Sequence, residues 1–248
     1  MKIYTVTNQK GGAGKTTTVD AAISNLKARG FKVLAVDLDP QCNLSFSMNA
    51  DVSKHNILDV LTRNAKAEDS IQHLADGDLI AGTAQMAAAE SILNETGKEY
   101  RLKETLASVK NNYDYILIDT PPALGILTIN ALTACDSVII PAQADIYSIQ
   151  GIQRLAETLK PVKQYTNPNI TVLGILLTRY NDRTVLSRTV ADLARQIAQS
   201  LNAKLFNSTI REATAIKEAQ LSQKSIFDYA PSSKVAEDYK NFVNELLK

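Results

Sequence analysis

A run of eight residues, Lys10-Gly11-Gly12-Ala13-Gly14-Lys15-Thr16-Thr17, constrains this chain more than any other feature. It follows Ile3-Tyr4-Thr5-Val6-Thr7, which reads as a strand, and opens a helical pattern over about residues 15–29. Glycines at 11, 12 and 14 remove the Cβ atoms that would block a close approach, so successive backbone N–H groups can curl around an anion. The following helix adds the positive end of its dipole. Strand, glycine turn and helix N-terminus in this order make a phosphate-binding loop. Gly11, Gly12, Ala13, Gly14, Lys15, Thr16 and Thr17 are its candidate cradle. Lys15 supplies a point charge to β- and γ-phosphates, and the Thr16 hydroxyl is placed to ligate Mg²⁺. The first glycine of the ordinary G-x-x-x-x-G-K-[ST] pattern would fall at Gln9, so the loop is a variant.

Short β-branched runs alternate with helical patterns along the rest of the chain. Val33-Leu34-Ala35-Val36-Asp37, Tyr115-Ile116-Leu117-Ile118-Asp119, Ser137-Val138-Ile139-Ile140-Pro141 and Val172-Leu173-Gly174-Ile175-Leu176-Leu177 read as strands. The last is continuous enough to be covered on both faces. Helical periodicity falls at Ile126–Ala134 and near 99–111, 148–160, 184–201 and 233–247. This alternation predicts a doubly wound, mostly parallel α/β sheet flanked by helices. No linker, repeat or low-complexity tract interrupts it, so residues 1–248 are expected to form a single domain. Residues 42–98 are the least regular stretch, and a mobile or partner-facing region is expected there.

Composition narrows the class. The chain is 45% hydrophobic and 21% charged, and 27 Lys+Arg against 26 Asp+Glu leave +1. That excludes wholesale disorder, and it excludes packing of nucleic acid by bulk positive charge. Two cysteines, Cys42 and Cys135, with no CxxC cannot build a disulfide framework, so a reduced cytosolic compartment is expected. The N-terminus lacks the pattern of a signal peptide, and no run approaches the roughly 18 apolar residues of a membrane span. A soluble cytoplasmic protein is the expectation.

Lys10, standing before GGAGKTT, carries a resemblance to a known family. With it the loop resembles the deviant Walker A motif of the ParA/MinD ATPases, a P-loop NTPase type. Val33-Leu34-Ala35-Val36-Asp37-Leu38-Asp39-Pro40-Gln41 looks like that family's second acidic motif, and Leu117-Ile118-Asp119-Thr120-Pro121-Pro122 like its Walker B strand and switch. The stretch from Ala131 to Pro141 and the late Ser225-Ile226-Phe227-Asp228-Tyr229-Ala230-Pro231 continue the match. The similarity runs from about residue 2 to the C-terminus and is close to the ParA/Soj partition ATPases. It implies an ATPase that uses ATP and Mg²⁺, turns over slowly, and forms a face-to-face homodimer on ATP. It further implies that Lys10 reaches across the dimer to the other copy's phosphates, in the manner of an arginine finger. Asp39 then orients the attacking water. Asp37 and Asp119, at strand C-terminal ends where ligands collect in open α/β sheets, take outer-shell magnesium and switch-contact roles.

The output of such a fold has to be read elsewhere. Residues 1–150 carry 13 Lys+Arg and 17 Asp+Glu, a net −4, whereas residues 151–248 carry 14 and 9, a net +5. In ParA relatives a basic face in this half binds DNA without sequence preference. Arg183 resembles a family DNA-contacting arginine; Arg188, Arg211 and Lys217 complete the candidate set, the second family arginine being altered here. Such contacts carry salt-sensitive affinity and do not read bases. The first strand begins near Ile3, so no N-terminal helix-turn-helix is expected and the chain resembles the small ParA subclass; that resemblance implies a separate ParB-like centromere-binding partner that recognises sequence and stimulates hydrolysis. A nucleoid-associated location follows.

Two alternatives stand beside this reading. A MinD-like membrane-cycling ATPase is suggested by Thr178-Arg179-Tyr180-Asn181, but the C-terminal stripe of Val235, Tyr239, Phe242, Val243, Leu246 and Leu247 faces a mixed-charge surface, which reads as a helix packed on the body and no membrane anchor. An ATP-dependent small-molecule synthase on the same loop would need a substrate pocket, for which no dedicated insertion is visible. Cys42 and Cys135 read as packing residues and not iron–sulfur ligands, and His55 and His73 as surface residues. For the adenine, Asn181 and the loop near Arg211 are the candidates.

Overall fold

The computed structural model describes residues 1–248. In chain order the first half comprises β1 (Lys2–Val6), α1 (Lys15–Ala28), β2 (Val33–Asp37), α2 (Asn43–Ser47), α3 (Ile57–Leu61), α4 (Ala67–Ser70), β3 (Ile71–Leu74), β4 (Gly77–Ile80), α5 (Ala89–Ile92) and α6 (Arg101–Val109). Next come β5 (Tyr115–Asp119), α7 (Ile126–Ala134), β6 (Ser137–Gln143), α8 (Ile146–Tyr165), β7 (Thr171–Thr178) and α9 (Val185–Ser200). The chain finishes with β8 (Lys204–Ile210), α10 (Thr214–Leu221), α11 (Ile226–Tyr229) and α12 (Lys234–Leu246).

The strands form one sheet in the order β3-β4-β2-β5-β1-β6-β7-β8, parallel throughout except for the β3–β4 pair. This is the doubly wound, mostly parallel sheet that the alternation of apolar runs predicts. Its central strands are buried on both faces because successive side chains point to opposite sides and helices cover each side. In β2, Leu34 and Val36 pack toward Leu106 of α6 and Ala131 of α7, whereas Val33 and Ala35 pack toward Ile23 and Leu26 of α1. The order β2-β5-β1-β6 places β1, the strand that leads into the glycine loop, between strands that arrive from either side. Ligands collect at the carboxyl edge of such a junction.

The last helix settles what its apolar stripe does. Val235, Tyr239, Phe242, Val243 and Leu246 are all buried, and the Phe242 ring meets Phe206 of β8 edge-on at 5.1 Å. Glu245 accepts hydrogen bonds from the Asn207 and Ser208 N–H groups at 3.0 Å each, which covers the exposed edge of the sheet. The stripe is therefore spent on the body of the protein. No helix is long and apolar enough to cross a membrane.

Three differences from the sequence expectation have physical causes. Helix α8 continues through Pro161 to Tyr165, where the pattern stops at 160. Proline costs roughly 3 kcal/mol inside a helix, and the continuation buries Val162. The edge strand β8 escapes notice because only Phe206 and Ile210 are buried in it. Residues 42–98 hold four short helices and the β3–β4 hairpin, elements too short to show a period.

Asp20 lies inside this core on α1, only 7% exposed. Burial pushes its carboxyl up to about 7, the nearby Asp76 raises it further, and the Ser47 hydroxyl works in the opposite direction. Because the folded protein holds this proton to a higher pH than the unfolded chain, stability is lost as pH rises from the ordinary aspartate range to about 7 and is flat above it. Asp20→Asn removes that loss. Its advantage over the parent in urea unfolding should be larger at pH 8 than at pH 5 by about 2 kcal/mol.

Candidate active site

The phosphate loop is held open from several sides. Gly14 caps α1 in the left-handed region at φ 92°, and a Cβ there would sit 3.4 Å from the Thr178 methyl. Gly12 is also left-handed, at φ 73°. The Thr178 hydroxyl donates to the Ala13 carbonyl at 2.8 Å, tying the end of β7 to the loop. Lys15 is buried, and its ammonium donates to the Lys10 carbonyl across the loop at 3.2 Å. Burial lowers its pKa, while the charges of Asp119 and Asp39 work to raise it.

Two carboxylates share the floor. Parallel pairing puts Asp37 of β2 directly beside Asp119 of β5, and both are fully buried. Asp119 Oδ2 accepts from the Thr16 hydroxyl at 2.6 Å, and its Oδ1 accepts from the Thr120 N–H at 3.1 Å. Asp37 accepts from the Ser45 hydroxyl at 2.7 Å, from the Ser45 N–H at 2.9 Å and from the Asp39 N–H at 3.1 Å. Burial pushes the Asp37 carboxyl up to about 6 and raises Asp119 well above the usual range, with the charge of Asp37 adding to the latter. A divalent cation would reverse both shifts. The donors here are hydroxyl and carboxylate oxygens, the hard ligands magnesium takes, and no cage of three or more acidic, histidine or cysteine side chains exists. That set fits an ion held by a few protein oxygens together with phosphate and water.

Asp39 and the loop glycines line one cavity of about 630 Å³. Asp39 Oδ1 accepts from the Gln41 N–H at 3.0 Å, and its other oxygen takes no hydrogen bond from the protein. At the far end the same cavity is lined by Arg179, Ile210, Arg211, Glu212, Ala213 and Lys217. The Arg211 loop thus lies where a nucleoside would extend, whereas Asn181 lines a neighbouring cavity of about 890 Å³.

The sequence-predicted residues divide by place. Gly11, Gly12, Gly14, Lys15, Thr16, Thr17 and Asp39 meet in one pocket, with Asp37 and Asp119 beneath. Lys10 stands at the loop's other side, its ammonium engaged by Asp145, the N-cap of α8, and by Gln143 at 2.8 Å. Arg183 and Arg188 are exposed at the start of α9. Arg211 differs from expectation: its guanidinium is spent on a two-point pair with Asp238 of α12, at 2.6 and 2.7 Å, and it faces the nucleotide cavity together with Lys217. Cys135 is buried in the core beside α7, whereas Cys42 is half-buried and belongs to neither side of the core.

Sequence reasoning missed four contributors: Thr178, Gln143 and Ser45, together with Glu90 of α5. Glu90 accepts from the Ile126 N–H at 2.6 Å and so caps α7, the helix that follows the Asp119 loop. Thr178, Gln143 and Glu90 reach the site from distant segments, and Ser45, eight residues beyond Asp37, has no spacing that marks it as that residue's donor.

A glycine loop at a strand–helix junction, a buried lysine and a hydroxyl–carboxylate pair on a parallel sheet define a P-loop nucleotide hydrolase. Comparisons with known proteins sharpen the class. An AAA domain family model matches residues 1–172. The sporulation initiation inhibitor protein Soj of Bacillus subtilis is 39% identical, covering 99% of this chain and 98% of its own. The chromosome partitioning protein ParA of Myxococcus xanthus is 33% identical over 100% of this chain and 88% of its own. A structure described as cobyrinic acid a,c-diamide synthase from Mycobacterium smegmatis, with bound ADP and magnesium, superposes with a TM-score of 0.85 at 33% identity, covering 100% of this chain and 94% of that one. The chain belongs to the ParA/Soj family of P-loop ATPases.

The raised carboxyls give a test of the site. A group held protonated up to about pH 6 must release its proton when a cation binds against it. Titration calorimetry with Mg·ATP in buffers of different ionisation heat should detect proton release at pH 6. Asp37→Asn should release fewer protons there, and Mg·ATP affinity of the parent should weaken as pH falls below 6.

Proposed function

We propose that this chain is a ParA-type partition ATPase working as a switch. Two copies close face to face on ATP and the closed pair holds DNA by its phosphates. A separate ParB-like centromere-binding protein then stimulates hydrolysis and release. The cargo is a plasmid, mobile element or chromosome origin, and the protein works on the nucleoid in the cytoplasm. The convergence of the phosphate loop, Asp39 and the buried Thr16–Asp119 pair on one cavity carries this reading.

The roles follow from chemistry. Backbone N–H groups of residues 11–17 and the Lys15 ammonium hold the β- and γ-phosphates, and the helix dipole of α1 adds to them. Thr16, with Asp37 and Asp119 behind it, holds magnesium, which when bound neutralises phosphate charge. Asp39 presents its unengaged carboxylate oxygen to orient the attacking water. Lys10 serves the other copy's phosphates, for which its ammonium has to leave Asp145 and Gln143. Hydrolysis resets the population of closed dimers and makes no further product.

Arg183 and Arg188 are the DNA contacts this reading retains. Arg183 stands in the exposed turn just before the α9 N-cap and Arg188 on the exposed first turn of α9, and neither forms a carboxylate ion pair. Arg211 is neutralised by Asp238, so its contribution passes to structure. The membrane-cycling alternative keeps only the Thr178-Arg179-Tyr180-Asn181 stretch in its support, because the α12 stripe an anchor would use is buried against the body. A small-molecule synthase is favoured by the Mycobacterium smegmatis likeness, and it would turn ATP over in response to a small carboxylic acid and not to DNA.

Co-sedimentation with DNA and with liposomes, under ATP, ADP or no nucleotide, separates these readings. ATP-dependent pelleting with DNA alone is expected, and pelleting with liposomes alone would replace partition by membrane cycling. Lys15→Ala should abolish ATP-dependent dimerisation in sedimentation velocity, and a variant that still dimerises would remove the loop assignment. Arg183→Glu should weaken DNA binding, reduce the salt slope by about one and spare ATP binding. Unchanged affinity across a salt titration would take this residue off the DNA face.

A further inference from the structure

Asp37 is an unusual residue for a metal site, because its oxygens are already occupied. Oδ2 takes both the N–H and the hydroxyl of Ser45, and Oδ1 takes the Asp39 N–H. Asp37 is fully buried and Ser45 only 3% exposed, so water does not stand in for these partners. The Ser45 hydroxyl has a second engagement: it accepts from the Gly82 N–H at 2.8 Å, just beyond the end of β4. A hydroxyl can donate and accept at once, which few other side chains of this size can do. Gly82 leaves no slack, since a Cβ there would stand 3.0 Å from the Asp37 carboxyl carbon and 3.1 Å from Oδ2.

The loop between these anchors is the one that carries Asp39. Its first N–H, of Leu38, bonds the Asp119 carbonyl at 3.0 Å, the Asp39 N–H is held by Asp37, and its far end enters α2, where Ser45 sits. The turn is closed by the Cys42 N–H on the Asp39 carbonyl at 2.8 Å, with Cys42 in the left-handed region at φ 53°. Both ends of the turn are thus tied to one carboxylate, and that carboxylate is tied through Ser45 to a third segment of backbone.

We propose that Ser45 is the positioning residue of this turn: its hydroxyl, shared between Asp37 and the Gly82 backbone, fixes the geometry in which Asp39 faces the phosphates. Asp37 acts through that geometry in addition to the charge it lends the magnesium site. The inference rests on the reading of Asp39 as the group that orients water.

The test is single-turnover ATP hydrolysis by the full chain in the presence of DNA, alongside equilibrium binding of a non-hydrolysable ATP analogue and the urea unfolding midpoint. Ser45→Ala should slow the hydrolytic step by about tenfold or more, as small misplacements of a reacting group do, with analogue affinity changed less than about threefold. Ser45→Thr keeps the hydroxyl and should restore most of the rate. Gly82→Ala, which leaves Ser45 in place and crowds Asp37, should show the same split between rate and affinity. Asp39→Ala is the reference. If it is inactive while Ser45→Ala hydrolyses within twofold of the parent, the positioning role is overturned. A rate loss in Ser45→Ala that is matched by lost analogue binding and not recovered by threonine overturns it as well. Normal hydrolysis by Asp39→Ala would instead remove the water-orienting reading, and the inference with it.

Discussion

Two carboxylates side by side in a dry place are costly, and much of this structure is organised around making them tolerable. The register that pairs Asp37 with Asp119 comes from burial of the β2 and β5 side chains on both faces; a slip of one residue would turn each strand's inner side chains over. Given that register, the acids need donors. Thr16 supplies one from α1, Ser45 and Asp39 supply three backbone or hydroxyl groups from the following loop, and Lys15 supplies charge from above. The same bonds that satisfy the acids hold the phosphate loop and the Asp39 loop in relation to each other. Stability and site geometry are one set of interactions here, which is why the ionisation of these groups is linked to ligand binding.

Charge is distributed to match. The acidic half of the chain, −4 over residues 1–150, contains the buried strand-end carboxylates Asp37 and Asp119, and the basic half, +5, contains the exposed arginines of α9. The tertiary structure then withdraws part of that basic surplus. Arg211 pairs with Asp238 on the helix that closes the sheet, so it braces the nucleotide-facing loop against α12. A charge count along the sequence treats Arg183 and Arg211 alike, and both are exposed, but only Arg211 is paired with a carboxylate, that of Asp238.

Legibility followed the range of the interactions. The strands Val33–Asp37 and Tyr115–Asp119 were readable because burial on both faces writes a continuous apolar run. The Lys15–Thr16 loop was readable because its chemistry is contiguous. Strand β8 was not, since an edge strand needs only two buried side chains and fills the rest with polar residues. Residues 42–98 read as irregular, yet they deliver Ser45, Gly82 and Glu90, which hold the two acidic loops. A hydrogen bond between segments 37 residues apart leaves no period and no spacing in the sequence.

The sequence by itself determined the doubly wound sheet, the phosphate loop and the family, because local backbone freedom at glycines and two-faced burial of strands are properties of neighbouring residues. It also determined which acids stand at strand ends. Only the tertiary structure decided what those acids do. Asp37 is consumed by Ser45 and Asp39, Asp119 is bound by Thr16, and Asp39 alone keeps an oxygen without a protein donor in the pocket. All three are strand-end aspartates in the sequence. What separates them is the supply of donors, from the α2 turn for Asp37 and from α1, 103 residues away, for Asp119, and that supply exists only once the chain has closed around them.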